Sequence, residues 1–131
     1  MNDHGLRYFE DYAPGAIYEC GGVSVDAASI VSFGKEFDPQ TFHVDPVVAA
    51  GGPFGGLIAS GRHTAALTMR LLVDNYLSAE ASLAGAGVDE IRWPFPVRAG
   101  DTLRVRAGRP DGHAVHRDQP PARPPGRGIA E

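Results

Sequence analysis

The chain has little cysteine, almost no lysine and no long hydrophobic run, and each shortage removes a class of protein. Cys20 is the single cysteine among 131 residues, which excludes an intrachain disulfide and a cysteine-rich zinc site and suits a reducing compartment. No apolar stretch approaches the ~18 residues of a membrane helix, and the opening Met-Asn-Asp-His-Gly lacks the basic-then-apolar order of a secretion signal. A cytoplasmic location without a membrane partner is therefore expected. Lys35 stands alone beside eleven arginines, and residues 1–107 carry eight basic against thirteen acidic side chains. No basic stripe crosses that region, so nucleic acid is not an expected partner.

Glycine and proline are what the chain has in excess, 17 and 11 residues respectively, well above average usage. Five Pro, four Gly and four Arg fall within 108–131, where there is no aromatic residue. Such a composition cannot build a core. A folded domain over 1–107 followed by a disordered tail over 108–131 is the expectation, and the tail has the composition of GC-rich coding sequence read out of frame. Mass and hydrophobic content, 13.9 kDa and 43%, fit one globular domain rather than two.

Periodicity supplies the elements. A Pro14-Gly15 turn leads into a short strand over 16–23, bent at Gly21-Gly22. Ser24 reads as the N-cap of a short helix whose stripe runs through Ala27, Ile30 and Val31 toward Phe37. The segment 37–46 starts as a loop, and Asp45-Pro46 then caps a brief helix reaching Ala50. From 57 to 77 the chain is apolar on most sides, which predicts a long buried helix with Ser60 and Gly61 in its first turn. Beyond it the period becomes two. Ile91, Trp93, Phe95 and Val97 alternate with polar and proline positions, and Leu103, Val105 and Ala107 repeat the pattern after Ala99-Gly100-Asp101, which predicts a hairpin. Pro94 and Pro96 share the outer parity and point to an edge or bulged strand. A helix so apolar needs a curved sheet around it, so the class is α+β.

Asp38 and His43 stand five residues apart across a proline-containing turn. A carboxylate beside an imidazole suits the activation of water, because the charge orients the ring and raises its basicity. On spacing alone, such a pair is more often two solvated turn residues. Gly61, in a first helical turn, would have an amide free at the positive end of the dipole, where an oxyanion could sit. Close packing explains a buried glycine equally well. Ser60 reads as a helix cap, since no Gly-x-Ser-x-Gly elbow surrounds it. His63 faces solvent or a partner as readily as a ligand. His43, His63, His113 and His116 form no recognised metal-ligand pattern, and 51–56 lacks the Gly-Lys-Ser/Thr of a phosphate loop.

Three blocks stand in order: Phe37-Asp38-Pro39-Gln40-Thr41-Phe42-His43-Val44-Asp45, Phe54-Gly55-Gly56-Leu57-Ile58-Ala59-Ser60-Gly61, and Pro96-Val97-Arg98-Ala99-Gly100-Asp101-Thr102-Leu103. Together they resemble the MaoC-like acyl dehydratases and (R)-specific enoyl-CoA hydratases. The resemblance implies a hot-dog fold, an antiparallel sheet wrapped around a long central helix, with its last strands missing here. It implies hydration of trans-2-enoyl-CoA or the reverse dehydration, with Asp38 and His43 catalytic and the Gly61 amide holding the thioester carbonyl. Phe42 and Ser60 would contact substrate. No cofactor is implied, since coenzyme A is part of the substrate, and a homodimer is. Many hydratases carry Asn and Pro where this chain has Gln40 and Thr41. A hot-dog thioesterase and a non-catalytic acyl-CoA-binding subunit are the alternatives; Asp38 with His43 ahead of the long helix favours the hydratase.

Overall fold

Asp26, two residues beyond the expected Ser24, starts the first helix: its carboxylate accepts from the Ser29 amide at 2.7 Å. Ser24 instead ends strand β1 (Ile17–Ser24), which runs through Gly21 and Gly22 without a left-handed residue. Helix α1 (Ala27–Phe37) follows, then two short helices, α2 (Thr41–Val44) and α3 (Pro46–Ala50). Asp45 caps α3 as expected, accepting from the Val47 and Val48 amides, with Pro46 at the first helical position. The long helix α4 spans Gly61–Asn75, and strands β2 (Thr102–Gly108) and β3 (Ala114–Asp118) complete the order. This computed structural model describes residues 11–77 and 87–108 and the backbone of 114–118.

The described residues fall into two units. In the first, the sheet order is β1-β2-β3, and β3 runs antiparallel to β2 with Val105 opposite Arg117. Alternation buries Leu103, Val105 and Ala107 as expected. Cys20, Val105 and Ala107 pack with Leu71 and Leu72 from the second half of α4, so this helix lies on the sheet. Burial of α4 is one-sided, with Met69 and Val73 on its exposed face. That corrects the expectation of burial nearly all round for the single chain. β3 lies within the stretch set apart as a tail, so the sheet carries one strand past Ala107. Residues 119–131 lie outside the described residues.

The second unit holds α1–α3, the start of α4 and 91–102. The expected hairpin is absent. Residues 91–97 form no strand, and both neighbours of β2 in the sheet are other strands. Pro94 and Pro96 lack the amides a ladder needs, so only the end of the segment pairs: Arg98 bridges Ile58, and the Ala59 amide donates to Val97 O at 2.8 Å. Arg98–Asp101 does turn as expected, with Gly100 at φ 88°, and Val25 bonds it on both sides. Phe95 is half exposed, contrary to the alternation.

Two contacts in this unit set the surroundings of the loop between α1 and α2. At Gly34 a Cβ would stand 2.9 Å from Val44 Cγ1 and 3.1 Å from both His43 Cβ and His43 O. Only glycine lets α1 approach α2 so closely. His63, left open between solvent, a partner and a ligand, is buried and stacked on Phe33 at 4.8 Å.

Gly34→Ala is expected to lower Tm by several degrees in thermal unfolding: relief of the clash costs roughly 1–3 kcal/mol, against about 1 kcal/mol gained in helix propensity. A Tm equal to or above wild type would contradict the packing. Burial pushes the His63 imidazole below its ordinary range, with Asp26 pulling weakly the other way. The unfolded chain therefore takes up the proton first, and stability falls as pH drops through about 6.5, the unfolded value. Urea unfolding of His63→Phe should show a flatter decline between about pH 7 and 5 than wild type.

Candidate active site

Asp38 ends α1, its amide donating to Gly34 O at 2.8 Å, and His43 lies two residues into α2. The turn between them brings the side chains together: His43 Nε2 is 3.3 Å from Asp38 Oδ2. His43 is fully buried while the Asp38 side chain stays 23% exposed, so the pair opens outward on the carboxylate side. The five-residue spacing is thus not that of two solvated turn residues.

The ring is fixed from behind. His43 Nδ1 lies 2.7 Å from the carbonyl oxygen of Ile58, and the Ile58 amide donates to Phe42 O at 3.0 Å. A carbonyl only accepts, so Nδ1 carries the hydrogen. In the neutral ring, Nε2 is then a bare lone pair. It is buried and has no hydrogen-bond partner. An orphaned buried acceptor costs about 1–3 kcal/mol, and here it faces the oxygen of a carboxylate.

Asp38 is held as that carboxylate. Partial burial pushes its pKa up, but the Gln40 amide and the Ser60 hydroxyl, with the nearby His43, more than offset this and leave it below the usual aspartate range. Gln40 Nε2 donates to Oδ1 at 2.7 Å and Ser60 Oγ to Oδ2 at 2.7 Å. Ser60 also accepts from the Arg62 amide at 3.3 Å, which is the cap expected of it. Its hydroxyl is occupied within the chain on both sides. The resemblance implies a substrate contact for Ser60; its bond to Asp38 spans 22 residues and leaves no periodic signal along the chain.

Gly61 is the first residue of α4, where an amide precedes any intrahelical acceptor. The close-packing explanation also holds: a Cβ at Gly61 would be 2.7 Å from Trp93 Cε2. Arg62 lies over that indole, with Cζ 5.6 Å from the ring centroid. Phe42 is half-buried, its ring edge-on to His43 at 4.5 Å and to Phe54 at 5.4 Å. Arg98 fixes the 54–56 turn by donating to Phe54 O at 2.6 Å. The Asp38–His43 pair, the first residue of α4 and the Phe42–Phe54 aromatic pair thus lie within one unit. Among the described residues no helix is long and apolar enough to cross a membrane.

Comparison with known proteins is consistent with this geometry. A crystal structure of a MaoC-like dehydratase from Rhodospirillum rubrum shares 48% identity, with TM-score 0.71 over 79% of this chain and 70% of that one. An unliganded R-hydratase, PhaJ1 of Pseudomonas aeruginosa, shares the hot-dog fold at 23% identity and TM-score 0.54, over 76% of this chain and 62% of that one. The 3-hydroxyacyl-thioester dehydratase Z of Mycobacterium tuberculosis is 44% identical over 69 residues, 52% of this chain and 46% of the relative, so the match spans about half of that protein. The sequence profile described as MaoC like domain matches residues 13–120, across all three blocks and past β3, and on that match the chain belongs to the MaoC-like domain family.

Proposed function

We propose that this chain hydrates trans-2-enoyl-CoA thioesters and, in reverse, dehydrates 3-hydroxyacyl-CoA. The observation that carries the reading is the orphaned His43 Nε2 at 3.3 Å from Asp38 Oδ2. Two acceptors at that distance are satisfied together by one water that donates a hydrogen to each. Such a water has its oxygen lone pairs turned away from the protein, toward a substrate carbon. As that oxygen bonds to C3, one proton passes to His43 Nε2, and electron density moves from the C2–C3 double bond onto the thioester oxygen. The Gly61 amide stabilises that enolate oxygen, worth on the order of 3 kcal/mol for such a donor. Collapse of the enolate takes the proton at C2, and the pair returns to its starting state. Asp38, held anionic, stabilises the imidazolium in between.

In this reading Phe42, beside His43, contacts the substrate, and Ser60, which donates to Asp38, acts on the substrate through that carboxylate. The chemistry needs no cofactor beyond the coenzyme A that arrives with the substrate. A homodimer in the cytoplasm is the working form we propose. Exposed Phe37, Val47 and Val48 in this unit leave apolar area for a partner surface.

The name of the mycobacterial relative, a 3-hydroxyacyl-thioester dehydratase, supports the substrate class. With crotonyl-CoA, the enoyl chromophore should disappear without release of free thiol. Thiol release would indicate a thioesterase, and binding without turnover an acyl-CoA-binding subunit. Asp38→Asn should reduce kcat by about 10²–10⁴ while crotonyl-CoA still binds, and unchanged turnover would remove Asp38 from the mechanism. Size-exclusion chromatography should give a dimer; an active monomer would contradict that assembly.

A further inference from the structure

Gln40 is the residue that touches both members of the pair. Its backbone amide donates to Asp38 O at 2.8 Å, and its carbonyl accepts the His43 amide at 2.9 Å. Its side-chain amide reaches back to Asp38 Oδ1 at 2.7 Å. Since a carboxylate offers only acceptors, the nitrogen end of that amide must face it. The direction of this side chain is informative. Gln40 occupies the N-cap of α2, where a side-chain oxygen ordinarily accepts from the first helical amides, yet it makes no capping bond. The helix loses a cap, and Asp38 gains a donor.

We propose that Gln40 is a positioning residue that clamps Asp38 Oδ1 so that Oδ2 is held toward His43. The inference rests on the Asp38–His43 reading above. Asp38 has two oxygens and three neighbours to satisfy. With Gln40 on Oδ1, the other oxygen is left to Ser60 at 2.7 Å and to the site shared with His43 at 3.3 Å. Without the clamp the carboxylate can rotate about its Cβ–Cγ bond, and the fixed oxygen that orients the water is lost. His43 is the titratable group that faces this carboxylate and stabilises its charge when the ring is protonated, while Gln40 and Ser60 act as donors. The Gln40 side chain is exposed, so its removal should cost little stability.

The experiment compares wild type, Gln40→Ala and Gln40→Glu. The Asp38 carboxyl carbon is titrated by NMR without substrate, assigned through Asp38→Asn, and crotonyl-CoA hydration is followed against pH. In Gln40→Ala the Asp38 titration and the acid limb of kcat should both move to higher pH. At the optimum kcat should fall on the order of tenfold to a hundredfold with KM nearly unchanged, and Tm should stay within a few degrees of wild type. Gln40→Glu, which puts a second negative charge beside Asp38, should move both further in the same direction. An Asp38 titration unmoved in Gln40→Ala overturns the clamp, as does a fall in Tm large enough to account for the lost activity. Wild type that fails to hydrate crotonyl-CoA overturns the hydration reading instead, and the substrate-free titration still decides whether Gln40 holds Asp38.

Discussion

The hydrogen bond from His43 Nδ1 to the Ile58 carbonyl, 2.7 Å long and buried, fixes everything else at the site. It decides which ring nitrogen carries a proton, and therefore which one is a base. It also decides the orientation of the ring, because the Ile58 backbone is itself held, donating to Phe42 O and bridging Arg98. A histidine in a loop with two free nitrogens would sample both tautomers and several rotamers. This one is left with a single chemical option on its outward edge.

Asp38 answers a different constraint. Burial alone would raise its pKa and, on protonation, turn the carboxylate into a donor toward Nε2, which would close the gap that water is proposed to fill. Two donors from opposite sides prevent this, Gln40 from its own turn and Ser60 from the start of α4. The balance falls on the charged side. Together the two residues keep two acceptors facing each other, an arrangement unfavourable for stability and useful for holding a water. Active sites commonly store such unfavourable arrangements.

What was legible in the sequence was local. Asp45-Pro46 gave a helix start, because a cap and its amides lie within three residues of each other. Leu103, Val105 and Ala107 gave the buried face of a strand, since alternation needs no knowledge of the partner. Asp38 and His43 could be nominated because five residues and a turn separate them. The partner of a strand is not local, and that is where the reading failed. The period-two pattern of 91–97 predicted a hairpin, but Pro94 and Pro96 remove the donors, and Val97 pairs instead with Ala59. The resemblance to known hydratases supplied what periodicity could not, namely that 54–61 belongs beside 37–45. It gave no sign that Ser60 would donate to Asp38.

Two glycines show why a residue can be nominated for one reason and be required for another. Gly61 was of interest for its amide, and the structure gives it a steric duty as well, since Trp93 occupies the space where a Cβ would be. The two roles are compatible. A backbone amide at a helix start is best presented to a ligand when no side chain shields it, and a rigid indole packed on the Cα keeps that amide from moving. Gly34 has no amide role, and its missing Cβ lets α2 pack close enough to α1 to seat His43. Neither clearance can be read along the chain, because each depends on an atom contributed from elsewhere in the sequence: ten residues away at Val44 and thirty-two at Trp93. The glycine excess of this chain thus includes two positions where the fold needs the absence of a side chain: Gly34 lies against His43, and Gly61 follows Ser60, which donates to Asp38.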